Sequence, residues 1–170
     1  TLSNAANEIR GTIKLEENSM IQAIHSGTLG SDPAARATIE MDTGSRLRLM
    51  DATTADFHAN LKINGNSTVD VRSAISANSG HFLSLNNLEI AGGSFVSVTG
   101  ANAFQLRLAG TTTLTGGLAD TTVLDVSAQG ILFDGAVNSS AGRIMKLGTG
   151  QLTFRTTSSL AGEVALQVGD

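Results

Sequence analysis

The sequence contains no cysteine, tryptophan or tyrosine, and only one proline among its 170 residues. The lack of cysteine excludes disulfides, thiolate metal ligands and cysteine nucleophiles. Phenylalanine supplies all of the aromatic residues and occurs six times, so few large side chains are present to anchor a conventional globular core. Glycine, by contrast, occurs 19 times. This composition favours a thinly layered structure with many tight turns.

Basic residues are also scarce, and the formal net charge is −4. Because phosphate binding requires a basic surface, this balance argues against nucleic acid as a partner. No apolar run approaches the length of a bilayer-spanning segment, so we expect no membrane insertion of this segment. The sequence begins at Thr1 without methionine or a signal peptide, which suggests that it is processed or cut from something longer.

One pattern recurs along the chain: an apolar-x-apolar triplet, a turn of about five residues, and a second apolar run. The first copy is Ile13-Lys14-Leu15 followed by Ile21. The spacing averages about 22 residues, which is typical of one coil of a β-solenoid. We therefore predict an all-β fold in which residues 1–170 form a single parallel solenoid domain of about eight coils. An antiparallel sandwich or barrel is the alternative, because it also contains many short alternating strands. The triplets end at Leu15, Met41, Ile63, Ile90, Leu108, Val126, Leu147 and Val168.

The middle residues of the first seven triplets are all charged and alternate in sign. In a parallel stack these side chains lie about 4.8 Å apart on the outer surface. Opposite neighbours contribute roughly 0.2–1 kcal/mol per pair, whereas a slip of one coil would oppose like charges. An antiparallel meander does not bring successive copies side by side, so the pattern favours the solenoid. The predicted charge ladder is Lys14, Glu40, Lys62, Glu89, Arg107, Asp125 and Lys146.

The connections after the second strand vary in length, and the longest span residues 25–37 and 72–84. Loops of this kind are predicted to project from the surface. Neither end of the chain has a polar cap or an amphipathic helix to cover its apolar residues. We therefore predict that the ends stack head to tail with another copy, or that the same chain continues the solenoid. The predicted end-to-end interface comprises Leu2, Ile13, Leu15, Leu166 and Val168.

Residues 147–154, LGTGQLTF, resemble the autotransporter passenger-associated repeat. Residues 1–7 (TLSNAAN) and 11–13 (GTI) resemble the other half of that pattern, whereas Arg155-Thr156 departs from the Ser-Gly expected there. The resemblance implies a single-stranded, right-handed parallel β-helix that is secreted by a bacterium or displayed on its surface. It also implies a stalk or scaffold role, because the repeat contributes no catalytic residues.

Some parallel β-helices cleave polysaccharides with converging carboxylates, so carboxylates that share a face of the solenoid are candidate catalytic residues. Arg48 and Asp70 fall on adjacent coils and can pair, for which a surface ion pair is the preferred interpretation. Asp56 and His58 can share one strand face, but solvated loop histidines are the default. No phosphate loop or dinucleotide fingerprint is present. We therefore predict no enzymatic activity, no cofactor and no metal.

The sequence thus indicates an extracellular or bacterial cell-surface module that spaces, scaffolds or polymerises. Its expected partners are further copies of itself or more of the same chain, and cell-surface glycans are a further candidate. A carbohydrate-binding or carbohydrate-cleaving β-helix is one alternative function. A phage or viral fibre segment, which should trimerise, is another.

Overall fold

The computed structural model describes residues 1–75 and 79–167, and within these residues the chain forms 19 strands and no α-helix. The strands are short because apolar and polar residues alternate only briefly between turns rich in glycine, asparagine and serine. In chain order they are β1 (Thr12–Leu15), β2 (Met20–Ile24), β3 (Ala37–Met41), β4 (Arg46–Asp51), β5 (Ala55–Asp56), β6 (Ala59–Ile63), β7 (Ser67–Ser73), β8 (Phe82–Leu85), β9 (Leu88–Ile90), β10 (Phe95–Gly100), β11 (Gln105–Leu108), β12 (Thr112–Leu114), β13 (Thr121–Val126), β14 (Gly130–Phe133), β15 (Val137–Ser139), β16 (Arg143–Leu147), β17 (Gln151–Phe154), β18 (Ser159–Leu160) and β19 (Glu163–Leu166).

These strands form three parallel sheets, and from β3 onward each full turn of the chain contributes one strand to each sheet. The first sheet has the order β1-β3-β6-β9-β12-β15-β18, and the second has the order β2-β4-β7-β10-β13-β16-β19. The third sheet is shorter, with the order β5-β8-β11-β14-β17. Every strand pairs in parallel with the strand one turn away. The fold is therefore an all-β parallel solenoid, as predicted, and the antiparallel alternative is excluded.

The number of turns differs from the prediction. Along the first sheet each strand pairs with the equivalent strand of the next turn, and this series gives about six turns instead of eight coils. The predicted series was wrong after Ile90 because the same apolar-x-apolar triplet occurs in all three sheets. The triplet ending at Leu108 lies in the third sheet, and those ending at Val126 and Leu147 lie in the second.

A narrow core runs the length of the solenoid between the three sheets. Inward side chains of successive turns lie in register, as Ile39, Leu61 and Leu88 do in the first sheet. The turns preceding or following strands of the third sheet add two fully buried phenylalanines, Phe57 and Phe104. Each turn thus buries its apolar residues only against the turns beside it, which is the energetic basis of a solenoid.

The first connection, residues 25–37, projects only in part: residues 27–30 are buried, contrary to the prediction, whereas Ser31, Pro33 and Ala34 are exposed. It replaces a third-sheet strand in the first turn, and Thr28 and Leu29 are completely buried. Gly27 has a φ of +77°, and a Cβ there would lie 2.3 Å from the carbonyl oxygen of Ala5. This close approach explains why the segment packs inward against the N-terminal residues. The second connection predicted to project includes residues 76–78, which lie outside the described residues.

Candidate functional site: the two ends and the charged outer faces

The last described turn, made of β17, β18 and β19, exposes side chains that point toward the core. In β17, Phe154 lies in register with buried Phe133, and the two rings stack with centroids 5.0 Å apart. Phe154 is nevertheless 41% exposed, and Leu166 of β19 is 73% exposed. Both occupy the positions that the next turn would cover. Core side chains are therefore open to solvent at this end, together with the hydrogen-bonding edges of three strands.

The N-terminal end is more closed than the sequence predicted. Leu2 forms a parallel bridge with Ala23, and its amide donates to the carbonyl of Gln22 at 2.7 Å. Farther along, the amide of Ser31 donates to the carbonyl of Asn7 at 3.0 Å. Residues 1–11 thus form part of a preceding turn, which covers β2 of the second sheet and the segment 25–36. The first strand of the first sheet, β1, keeps a free edge in the described part of the chain.

The residues predicted for the end-to-end interface are therefore not equivalent. At the N-terminal end Leu15 is buried at 6% exposure, while Leu2 and Ile13 are partly buried and pack against the core. At the other end Leu166 is the most exposed of the set, and Val168 lies outside the described residues.

A cavity of about 280 Å³ opens at the C-terminal end between the second and third sheets. Leu152, Leu166 and Lys146 line it, and Lys146 is a predicted member of the charge ladder. Lys146 is buried and points inward, in register with Leu124 and Leu166, and its Nζ donates to the carbonyl of Gly148. Its predicted outward position was wrong.

The error at Lys146 has a simple cause. β16 carries apolar residues on both faces, with Ile144 inward and Met145 and Leu147 outward. The alternation of this strand alone therefore does not define which side chains face the core. The register with β13 does, because it places Lys146 beside Leu124.

Four members of the predicted ladder do stack as expected on the outer face of the first sheet. Lys14, Glu40, Lys62 and Glu89 are direct neighbours on β1, β3, β6 and β9. We call these four residues the charged row. The ammonium of Lys62 lies 3.2 Å from the carboxylate of Glu89, whereas Lys14 pairs with Asp42 at 3.4 Å.

The next two predicted members do not extend the charged row, because Thr113 and Asn138 occupy its following positions. Arg107 lies on the third sheet between Ser84 and Leu132, and it pairs with Asp134. Asp125 lies on the second sheet between Ser97 and Leu147. Together with Lys146, these residues show that the prediction joined residues of three different sheets into one series.

The outer face of the second sheet holds a cluster of three arginines around one carboxylate. Asp70 of β7 is fully buried although it points outward. It accepts hydrogen bonds from Arg46 at 2.8 Å, from Arg48 at 2.7 Å and from Arg72 at 2.7–3.0 Å. We call these four residues the arginine cluster. The predicted pairing of Arg48 with Asp70 is confirmed, but it is a buried interaction and not a surface ion pair.

The arginines also set the protonation of Asp70. Burial by itself would raise the pKa of this carboxyl group. Hydrogen bonds from Arg72 and Arg48, together with their positive charges, outweigh burial and hold the pKa of Asp70 below its ordinary value. The carboxylate therefore stays ionised at neutral pH, which makes it a poor general acid.

Sequence reasoning missed two of the three arginines of this cluster. Arg46 and Arg48 are two residues apart on β4, and so are Asp70 and Arg72 on β7, which places each pair on one strand face. This spacing in second-sheet strands of adjacent turns was the available signal. This spacing identifies the cluster only when the register of β4 against β7 is known.

The candidate metal pair, His58 and Asp56, does come together, with 3.5 Å between Nδ1 and the carboxylate. Arg36 lies 3.6 Å from the same carboxylate. Across the described residues no group of three or more His, Asp or Glu side chains is arranged to hold a metal ion. Asp56 thus contacts one arginine and one histidine at the end of β5.

Comparison with protein-family models, with curated proteins and with solved structures found no match to this chain. In the described part of the chain, no helix has the length and apolar character needed to cross a membrane.

Proposed function

We propose that this chain is a structural β-solenoid module, extracellular or on a bacterial surface, that works by stacking end to end into a stalk or filament. The turn that follows its C-terminal end comes from a second copy or from more of the same chain. No catalytic role is part of the proposal. A rod of this kind acts through its length and rigidity, and its outer faces carry any contacts with glycans.

The exposed core side chains of the last described turn carry this proposal. Fully burying a leucine or phenylalanine side chain is worth about 1.5–3 kcal/mol. Leu166 and Phe154 are exposed at positions where an added turn would bury them, and Val164 beside them is 37% exposed. Added strands would also pair the open edges of β17, β18 and β19. Both contributions favour continuation along the axis.

Assembly of the isolated chain tests the version with separate copies. We expect the molar mass from light scattering to rise with concentration, and electron microscopy to show rods one solenoid wide. Leu166→Glu places a charge on the stacking face and should keep the chain monomeric. Leu118→Glu is the matched control, because Leu118 is 79% exposed on a turn between β12 and β13 and should not affect stacking.

A tandem fusion of two copies tests whether the N-terminal turn fits the C-terminal end. We expect the fusion to melt at a higher temperature than the single chain. Leu166→Glu in the first copy lies at the junction and should remove this gain, whereas the same change in the second copy lies at the free end and should not. A fusion that melts like the single chain, combined with a monomeric single chain, contradicts stacking between copies.

A further inference from the structure

The arginine cluster has more positive charge than its carboxylate neutralises. Three guanidinium groups surround the single carboxylate of Asp70, which leaves a local excess of two positive charges on a chain of net charge −4. One guanidinium suffices to pair with a carboxylate in a bidentate fork, as Arg72 does here. Neutralising the charge of Asp70 therefore explains the presence of one arginine but not of the other two.

The cluster also has more hydrogen-bond donors than Asp70 uses. Each guanidinium carries five N–H donors. The bonds to Asp70 involve Nη2 of Arg46, Nε of Arg48, and Nε and Nη2 of Arg72. Nη1 of Arg48 adds a long contact of 3.4 Å to Gln22. The arginine side chains remain 22–38% exposed, so their outer edges face solvent.

Two buried polar atoms in and beside the cluster have no hydrogen-bond partner. One is Nε of Arg46, and the other is Oγ1 of Thr99, which lies next to Asp70 on β10. A buried donor or acceptor without a partner destabilises the folded chain. The Nε of Arg46 is therefore a donor that the hydrogen bond from this arginine to Asp70 leaves unused.

The cluster belongs to a polar row that runs along the solenoid axis. Gln22, Arg48, Asp70 and Thr99 lie in register on four adjacent second-sheet strands, β2, β4, β7 and β10. Neighbouring strands are about 4.8 Å apart, so the row extends over roughly 14 Å of an outer face. An extended polymer lying along the axis can follow this row and contact the partly exposed arginine side chains on β4 and β7.

We propose that the arginine cluster is a binding site for the carboxylate or sulfate groups of an acidic polysaccharide. In this site Asp70 acts as a positioning residue, since its hydrogen bonds hold three guanidinium groups facing the same point. The remaining N–H donors of these groups receive the oxyanion, for which the planar guanidinium fork is well shaped. Because Asp70 already holds the guanidinium groups in position, less conformational entropy is lost when the oxyanion binds.

The charge of the whole chain favours a sparsely charged polymer. Duplex DNA carries one negative charge for every ~1.7 Å of its axis. A chain of net charge −4 repels such a dense polyanion. A polysaccharide with one acidic group per sugar or per disaccharide needs only a local positive site. The extracellular location in the proposed function makes such polymers accessible, but the site itself is independent of stacking.

Binding measurements by calorimetry at low protein concentration test this proposal. The probes are a chondroitin sulfate hexasaccharide, an oligogalacturonate, a neutral maltohexaose, sodium sulfate and single-stranded DNA. We expect saturable binding of either acidic oligosaccharide, tighter than that of free sulfate, and no binding of the neutral one. Arg46→Gln should weaken this binding about tenfold, the effect of losing one hydrogen bond to a charged group.

Three variants serve as controls. Arg10→Gln removes the same charge from an arginine that is 64% exposed and lies outside the cluster, and it should change affinity less than about twofold. Arg46→Lys keeps the charge but lacks Nε and the planar fork, so its affinity should fall between those of Arg46→Gln and the parent chain. Leu166→Glu should bind normally, which separates this site from the stacking face. Circular dichroism verifies that each variant is folded.

Several results would overturn the proposal. The site is not for oxyanions if the neutral sugar binds as well as the acidic ones, or if no oligosaccharide binds. It is not the arginine cluster if Arg10→Gln and Arg46→Gln weaken binding equally. It is not a polysaccharide site if single-stranded DNA binds more tightly than both acidic oligosaccharides.

Discussion

The arginine cluster and the charged row are both made of outward-facing ionic side chains on adjacent parallel strands, but they differ in geometry. In the cluster three rigid, planar guanidinium groups converge on one buried carboxylate at 2.7–3.0 Å. In the charged row, flexible lysines alternate with glutamates, and the Lys62–Glu89 pair lies at 3.2 Å with both side chains partly exposed. The spacing of the strands is the same in both regions. The chemistry of the side chains therefore determines whether the charged groups converge on one site or form separate pairs.

Removing the carboxylate at the centre of the cluster should have the largest effect. Asp70→Ala leaves three like charges together, and breaking a buried ion pair costs about 3–5 kcal/mol. We expect the lower value, about 3 kcal/mol, because the arginines can turn toward solvent. Urea denaturation measures this loss. Asp125→Asn, on the same face of the second sheet, should cost less than about 0.5 kcal/mol, and equal losses for the two variants would contradict the comparison.

As the pH is lowered, the contacts of the arginine cluster should be lost before most of the core is affected. The pKa of Asp70 is lowered in the folded chain relative to about 3.9 in an unfolded one. A lowered pKa stabilises the fold above the unfolded-state value, and this stability is lost as pH falls through the folded-state pKa. We therefore expect the melting temperature to drop below about pH 4. Asp70→Asn should flatten the profile in that range, whereas an unchanged profile would show that Asp70 does not control it.

Reversing a charge in the charged row should have a smaller effect. Glu40→Lys places three lysines on consecutive strands, and each like-charged pair costs about 0.2–1 kcal/mol. We expect a total loss of about 1 kcal/mol that decreases in roughly 0.5 M salt, because exposed charges are screened. A loss that is independent of salt would mean that packing, and not charge, is responsible.

Extending the charged row should have the smallest effect. Thr113 follows Glu89 at the next position of the first sheet, so Thr113→Lys continues the alternation. We expect stabilisation of a few tenths of a kcal/mol, since an exposed pair is worth little. Thr113→Glu, which opposes Glu89, is the paired control and should destabilise the chain by a similar amount. Chemical denaturation of both variants, analysed together, resolves the difference.

The sequence was sufficient to predict the class of fold. The alternation of apolar residues and the alternating charges both reflect contacts between adjacent turns. The charged row from Lys14 to Glu89 was predicted correctly, since those four triplets belong to one sheet. The prediction failed at Arg107 because strands of all three sheets share one apolar-x-apolar pattern. The turns are unequal in length, since one runs from Leu61 to Leu88 and a shorter one from Ser139 to Leu160. Spacing along the chain therefore does not distinguish a full turn from two thirds of one.

The candidate sites were harder to predict than the fold. The convergence of Arg46 and Arg72 on Asp70 depends on a register that local spacing does not define. The closure of the N-terminal end depends on the pairing of Leu2 with Ala23. An isolated leucine near a terminus carries no signal for such a contact. In both cases the missing information is how one turn aligns with another.

The parallel stacking of turns also determines how the molecule responds to force. The strands run across the axis, so the hydrogen bonds that join successive turns point along it. Traction on the two chain ends therefore loads only the outermost turns, and the next turn is loaded after its outer neighbour has opened. We expect such a rod to resist bending and compression but to lengthen stepwise under tension, releasing a single turn at each step. A stalk built in this way would absorb sudden tension between the surfaces that it joins by lengthening.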